Sequence, residues 1–191
     1  MCIRDSIGRT LAAYHLDKLA QAGLLSTQYQ DPQGAPIPGP GRPAKLYHRS
    51  ESEFSVSVPP RHYELLANLL VQSVQRDPTG KVRRAMGEAA EQAGRDAAAI
   101  ARSRLSANED PSTILTDALR SCGYQPSVGA SGEIELRNCP FHRVAQANQD
   151  IVCGLNLRLI QGLVEESGCD RLQTTLASMP GRCCVVIHAR A

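Results

Sequence analysis

The chain lacks a long apolar run and a secretory signal pattern. Its apolar stretches all fall short of the ~18 to 20 consecutive residues that a membrane-spanning helix needs. No basic start followed by an apolar stretch and a small-residue cleavage site is visible either. We therefore expect no membrane partner and a cytoplasmic location, where cysteines stay reduced or bind metals rather than forming structural disulfides.

The sequence patterns of common enzyme classes are also missing. The chain contains no G-x-G-x-x-G loop, P-loop, G-x-S-x-G elbow or metal-hydrolase motif. The adjacent Cys183 and Cys184 form a poor redox pair, because neighbouring side chains in a strand diverge and a vicinal disulfide is strained. We therefore expect that the protein is not an enzyme.

What is present is an ordinary globular composition with unevenly placed charge. The 191 residues are 42% hydrophobic and 21% charged, and the chain is long enough for one large or two small domains. The net charge is +2, yet residues 1–50 hold six basic and three acidic residues, a net +3. The remaining 15 basic and 16 acidic residues give −1. A basic excess near the N-terminus favours nucleic acid as a partner.

The most informative stretch is RTLAAYHLDKLAQAGLL, residues 9–25. Its apolar positions recur at helical spacing and predict a helix whose apolar face packs inward. These positions are Leu11, Tyr14, Leu16, Leu19, Ala20 and Ala22. Polar and basic residues fall mostly on the opposite face, and Gly23 supplies the left-handed position that commonly ends a helix. The alternative is an ordinary amphipathic helix of any core.

Two β-prone segments, residues 26–30 and 44–49, follow this helix. The stretch DPQGAPIPGPGRP between them is too rich in Gly and Pro to be a helix or a central strand. The two segments therefore predict a basic hairpin, which is either a solvated surface feature or a wing that lies along the DNA backbone or enters the minor groove.

The helix and the G-R-P and K-L-Y motifs of the hairpin resemble the recognition helix and wing of ArsR-type winged helix-turn-helix regulators. This resemblance implies a double-stranded DNA operator as the partner. Arg9 is the candidate for reading guanine, and Lys45 for contacting the backbone or minor groove. The full set of candidate DNA-contacting residues is Arg9, Thr10, Tyr14, His15, Lys18, Arg42 and Lys45.

Residues 1–6, MCIRDS, have no structural logic that leads into this helix, and they read like translated sequencing-adapter sequence. A helix-turn-helix also needs a helix before its recognition helix. We therefore expect residues 1–52 to form a partial winged-helix domain that is truncated at its N-terminus, with residues 1–6 not native.

Residues 53–108 are predicted to form a helical linker and dimerisation region. One helix spans about 61–75, Asp77 to Gly80 breaks it, and a second helix spans about 81–105. The predicted inward positions of the second helix are Val82, Met86, Ala89, Ala93, Ala97, Ile100 and Leu105. The two helices either close a core or form the seam of a homodimer, which we expect because operator half-sites are read by two-fold dimers.

Residues 109–191 are predicted to form an α+β sensor domain. A helix begins at Asp110-Pro111-Ser112, strands follow at 124–128 and 133–137, a buried helix spans 145–166, and two strands near 172–179 and 183–188 end the chain. The inward residues of the first helix are Ile114, Leu115, Ala118 and Leu119. The predicted fold class is therefore α+β, with an incomplete winged helix, a helical region and this domain in order.

Five of the seven cysteines lie in the last third of the chain: Cys139, Cys153, Cys169, Cys183 and Cys184. No C-x2-C pair is present, which argues against a zinc ribbon or a ferredoxin-type loop. Three uses stay open at this point. The cysteines bind an iron–sulfur cluster, they serve another sensor such as zinc or a thiol switch, or they are small hydrophobic residues of the core.

Three motifs carry a second resemblance: NCPFHRVA at 138–145, VCGLNLRLIQGL at 152–163 and PGRCCV at 180–185. They are similar to the C-terminal domain of the SufR family, the winged-helix repressors of iron–sulfur assembly operons. The resemblance implies an iron–sulfur cluster, [4Fe–4S], held by Cys139, Cys153 and Cys183. Cys169 is the expected fourth ligand and Cys184 the alternative, because strand alternation would turn Cys184 away from Cys183.

These features together predict a dimeric, DNA-binding transcriptional repressor whose cluster senses iron–sulfur or redox status. The alternative is a winged-helix regulator that senses a small-molecule effector, zinc or thiol oxidation without a cluster.

Overall fold

The computed structural model describes residues 8–30, 44–50, 59, 61–106, 108–129, 133–177 and 182–190. The protein belongs to the α+β class, as predicted, with two small antiparallel sheets. The chain divides into two compact units, residues 1–61 and residues 62–191. The helices that the sequence analysis assigns to a separate linker region therefore belong to the second unit.

The first unit contains one helix and one β-hairpin. Helix α1 spans Arg9–Gln21, and strands β1 (Leu25–Gln30) and β2 (Ala44–Arg49) pair antiparallel. The helix ends where predicted, because Gly23 adopts a φ of 75° and the next N–H, of Leu24, bonds back to a carbonyl of the last turn. Both predicted strands are confirmed. The hairpin tip, with Arg42, lies outside the described residues.

The apolar face of α1 was predicted to pack inward, and this prediction was wrong. Leu11, Tyr14 and Leu19 are 48%, 56% and 41% exposed, and Ala12 is the buried residue of the helix. The described hairpin contacts α1 chiefly through β1, and a single hairpin covers only part of a helix surface. Helical spacing identifies apolar positions, but it does not show whether another element covers them.

The second unit contains five helices and four strands among its described residues. The helices are α2 (Tyr63–Gln75), α3 (Lys81–Arg104), α4 (Pro111–Ser121), α5 (His142–Ala147) and α6 (Gln149–Glu166). The strands are β3 (Pro126–Val128), β4 (Ile134–Leu136), β5 (Leu172–Leu176) and β6 (Val185–Ala189), which form an antiparallel sheet in the order β3-β4-β6-β5. No described helix combines the length and the apolar character needed to cross a membrane.

The main core of this unit lies between α3, α4 and α6 and one face of the sheet. Alternate residues of β4 and β6 point into it, with Leu136, Val185 and Ile187 almost fully buried. Asp110 caps α4 through the Ser112 N–H, and Pro111 occupies its first turn. The four inward residues predicted for α4 are all buried, which confirms its orientation.

Helices α3 and α6 cross at two glycines. A Cβ on Gly94 would lie 2.1 Å from the Leu159 carbonyl oxygen, and a Cβ on Gly162 would lie 2.0 Å from the Glu91 carbonyl oxygen. The buried face of α3 is therefore Gly94, Ala98 and Ala101, whereas most of the predicted inward residues lie at the edge of the contact or outside it. The prediction included alanines for a close helix contact, but the buried stripe lies one residue further along the chain, about 100° around the helix, where Gly94 permits the crossing.

The predicted helix over 145–166 is in fact two helices. Asn148, with φ −144° and ψ 45°, is not helical and separates α5 from α6. Its side chain donates to the Val144 carbonyl and accepts from Gln75, so the break is held in place. Helix α5 begins at His142.

Candidate cysteine site

Four cysteines of the second unit form one group of contacting thiols. The sulfur of Cys183 interacts with the thiols of Cys139 and Cys184, and the Cys184 thiol interacts with that of Cys153. Cys183 is buried, and the other three are half-buried. We call Cys139, Cys153, Cys183 and Cys184 the cysteine group.

Three parts of the fold bring this group together. Cys139 lies in the turn between β4 and α5, Cys153 lies in the first turns of α6, and Cys183 and Cys184 directly precede β6. Because β4 and β6 are antiparallel neighbours, the residues after β4 adjoin those before β6. The Cys183 N–H donates to the Leu136 carbonyl at 2.9 Å, which fixes this junction.

Polar interactions converge on Cys183 and favour its thiolate. The contact from Cys139 has the largest effect, followed by that from Cys184, and together with the Val185 N–H and the Asn156 amide they hold the pKa of Cys183 well below its usual value despite burial. The same interactions with Cys183 raise the pKa of Cys139 and of Cys184. These interactions therefore favour the thiolate form at Cys183 and the protonated form at Cys139 and Cys184.

Two buried polar side chains, Asn156 and Tyr124, support Cys183. Asn156 is 1% exposed and donates from Nδ2 to Cys183 Sγ at 3.0 Å. Its Oδ1 accepts a hydrogen bond from the Tyr124 hydroxyl. Burial, and secondarily the charge of Cys183, raises the pKa of Tyr124, so this hydroxyl remains a neutral donor. The sequence analysis missed both residues, although an asparagine within an apolar helix is a recognisable signal.

Cys169, the predicted fourth ligand, lies apart from the cysteine group. It follows the C-terminal end of α6, whereas Cys153 lies in its first turns, and the helix between Cys153 and Glu166 is roughly 20 Å long. Burial, and then the charges of Asp110 and Asp170, raises the pKa of Cys169. The alternative residue, Cys184, contacts both Cys153 and Cys183.

Cys184 reaches Cys183 because neither residue belongs to the strand. The sequence analysis begins the last strand at Cys183, so that side-chain alternation would separate the two thiols. Strand β6 begins at Val185, and Cys184 occupies a bend. The predicted strand start was therefore wrong by two residues, and alternation does not govern this pair.

The thiols form a row of contacts rather than a cage. Within the described ranges, no set of three or more His, Cys, Asp or Glu side chains is arranged to hold a metal ion. The donor chemistry nevertheless fits a thiolate-bound cluster, because four thiols lie together and the N–H groups of Phe141, Val185 and Asn156 point at sulfur.

In the first unit, the candidate DNA-contacting residues of α1 are all exposed. Thr10, Tyr14 and Lys18 share one face of the helix, and Lys18 Nζ lies 5.8 Å from the centre of the Tyr14 ring. The ring of His15 is adjacent to that of Tyr14, with centres 5.4 Å apart. Arg9 lies in the first turn, about 100° around the helix from Thr10.

Lys45 forms an ion pair within the first unit. Its Nζ lies 2.5 Å from Asp17 Oδ1, and the Tyr47 hydroxyl donates to the same oxygen at 2.7 Å. These bonds tie β2 to α1, and the hydrogen bond from Lys45, followed by that from Tyr47, lowers the pKa of Asp17. The sequence analysis missed Asp17 as the residue that joins the hairpin to the helix.

We expect Asp17→Asn to lower the pKa of Tyr47 toward its ordinary value of 10.0, because the carboxylate that accepts a hydrogen bond from its hydroxyl is gone. The same pairing predicts acid sensitivity. Since Asp17 titrates below its ordinary value of 3.8 when folded, its contribution to stability is present above that pH and is lost as the pH falls through the folded-state pKa. Ultraviolet titration of tyrosinate against a Tyr47→Phe blank measures the shift. Asp117→Asn is the control, and a Tyr47 pKa equal in both variants would contradict the assignment.

Comparison with known proteins adds nothing to this geometry. No family model, curated protein or solved structure matches this chain.

Proposed function

We propose that the chain is a DNA-binding transcriptional repressor of the winged-helix type, in which an iron–sulfur cluster bound by the second unit controls DNA binding by the first. The observation that carries the proposal is the cysteine group, four contacting thiols from three separate parts of the fold. It occurs in a chain whose other unit presents an exposed polar and basic helix followed by a hairpin.

The exposed face of α1 in the first unit supports the proposed recognition of duplex DNA. In this proposal α1 enters the major groove, and Thr10, Tyr14 and Lys18 on its exposed face meet base edges and phosphates. The hairpin of β1 and β2 acts as the wing. Lys45 supports this wing through its ion pair with Asp17.

The cysteine group supplies the ligands for the cluster. Cys139, Cys153, Cys183 and Cys184 hold it in this proposal, and a [4Fe–4S] cluster supplies reversible one-electron chemistry and sensitivity to oxidants when bound. Bound ligands would join the turn after β4, the start of α6 and the start of β6. Only a difference in cluster stability between DNA-competent and incompetent states can couple this site to operator binding.

We further propose that the active form is a homodimer joined through α2. Five large apolar side chains of this helix are between 51% and 72% exposed: Tyr63, Leu65, Leu66, Leu69 and Leu70. Contiguous exposed apolar surface of this kind marks an interaction site. A second copy would cover it and provide the two-fold symmetry that paired operator half-sites need.

A second candidate function, a thiol switch, is favoured by the direct contact between Cys183 and Cys139. In this alternative, hydrogen peroxide oxidises the Cys183 thiolate to a sulfenic acid and releases hydroxide. The Cys139 thiol then attacks that sulfur, forming a disulfide and releasing water. DNA binding would then respond to peroxide in protein that contains no iron.

We expect the protein to select a two-fold symmetric sequence from a pool of random DNA duplexes. Lys18→Ala should weaken binding to the selected sequence about tenfold, since a good contact to a base edge contributes about 1–3 kcal/mol. Arg9→Ala should relax the base preference at one position in each half-site. Arg104→Ala, which removes the same charge at the end of α3, is the control. Equal losses for Lys18→Ala and Arg104→Ala, or no selected sequence, would refute the DNA-binding role of α1.

A further inference from the structure

We propose that Asn156, held by Tyr124, is a positioning residue of the cysteine group: it orients Cys183 through a hydrogen bond to the sulfur and thereby raises the reduction potential of a cluster bound there. The statement about the cluster rests on the proposed function. The hydrogen bond itself is a property of the metal-free protein.

The burial of this amide needs a partner at each end. Asn156 is 1% exposed on a helix whose other buried residues are mainly apolar, and an unpaired amide there would be strongly unfavourable. Its Nδ2 donates to Cys183 Sγ at 3.0 Å, and its Oδ1 accepts from the Tyr124 hydroxyl. Cys183 and Tyr124 are each 2% exposed. Solvent therefore does not compete for either bond, and Tyr124 fixes which end of the amide faces the sulfur.

The sign of the effect follows from charge. Reduction adds an electron to a cluster and increases the negative charge on its thiolate sulfurs. An N–H donor stabilises that charge, so it favours the reduced state and raises the potential. Removing the donor should therefore lower the potential.

A double variant can remove the Asn156 N–H donor without leaving an unpaired polar group in the core. Asn156→Leu alone would strand the Tyr124 hydroxyl in the core, whereas Asn156→Leu combined with Tyr124→Phe replaces both partners by apolar groups of similar shape. Ser167→Ala is the matched control. Ser167 is equally buried at the end of α6, but its hydroxyl donates to the Leu163 carbonyl at 2.6 Å.

The first measurement uses the full chain without metal. Nuclear magnetic resonance of the Asn156 side-chain amide should show protons protected from exchange with water. Their chemical shifts should change in Cys183→Ala and stay unchanged in Cys169→Ala. Rapid exchange, or no response to Cys183→Ala, would overturn the inference whether or not a cluster binds.

The second measurement is the midpoint potential after anaerobic reconstitution with iron and sulfide. The double variant should show a lower potential than the wild type, with the reduction equilibrium shifted about tenfold, which is about 59 mV for a one-electron couple. Ser167→Ala should match the wild type. Equal potentials in all three proteins would overturn the inference. A wild type that binds no cluster would refute the proposed function instead, and the amide protons alone would then decide whether Asn156 positions Cys183.

Discussion

Gly162→Ala and Gly94→Ala are each expected to destabilise the second unit by about 3 kcal/mol. The added methyl group would lie 2.0 Å from the Glu91 carbonyl oxygen in the first case and 2.1 Å from the Leu159 carbonyl oxygen in the second. These obstacles are backbone atoms, which cannot rotate away, so α3 and α6 must separate. Thermal unfolding should show a drop in Tm of roughly 10 °C for each variant.

The same two helices offer matched controls. A Cβ on Gly154, earlier in α6, would meet no atom within 4 Å, and one on Gly87, earlier in α3, would meet Arg158 Cγ at an ordinary 3.6 Å. Alanine at either position should stabilise the protein by about 0.5–1 kcal/mol, because glycine is unfavourable in a helix interior. If Gly162→Ala and Gly154→Ala had the same Tm, the close crossing of α3 and α6 would be wrong.

Cys184→Ser is expected to abolish stable cluster binding, whereas Cys169→Ser is expected to leave it intact. Cys184 interacts with Cys153 and Cys183, so in the proposed site its loss removes one of four ligands. Cys153 lies near the start of α6, whereas Cys169 follows the end of that helix. The charges of Asp110 and Asp170, rather than another thiol, act on Cys169. Iron and sulfide content, with the visible absorbance after anaerobic reconstitution, measures the difference.

Two outcomes would contradict this ligand assignment. Loss of the cluster in Cys169→Ser, with far-ultraviolet circular dichroism unchanged, would favour the ligand set expected from the sequence. Full iron content in Cys184→Ser would show that Cys184 is not a ligand of the cluster. Cys122→Ser serves as a second control. The pKa of Cys122 is raised by burial and is affected by Ser121, and no other thiol contributes to its shift.

Local chemistry explains which parts of the fold were predictable. The Asp110 cap with Pro111 starts α4, Gly23 ends α1, and the β-prone segments flanking the Pro- and Gly-rich stretch form β1 and β2. Each of these signals acts within a few residues of the chain. The face that a helix buries depends instead on its partner, so the α1 and α3 faces were assigned incorrectly while their spans were correct.

The candidate site was predictable only in part, for the same reason. Motif resemblance identified Cys139, Cys153 and Cys183, which the fold brings together. The choice between Cys169 and Cys184 required the register of the last strand, which begins two residues later than expected. The length of α6 was a usable signal, because a continuous helix after Cys153 necessarily carries Cys169 far from it.

The α3–α6 crossing also connects stability to the site. Helix α6 carries both Cys153 and Asn156, and its position against α3 is fixed by Gly94 and Gly162. We therefore expect the alanine variants of these glycines to weaken cluster retention as well as folding. The helix controls should leave retention unchanged.

The most direct test of the account is the affinity for the selected DNA sequence, measured without oxygen for wild-type protein with and without its cluster. We predict at least about a tenfold difference between the two forms, within the usual range of allosteric coupling. Cys153→Ser, which cannot hold the cluster, should show the metal-free affinity under both treatments. Equal affinities in wild-type protein that demonstrably carries iron and sulfide would contradict the claim that the cysteine group controls DNA binding.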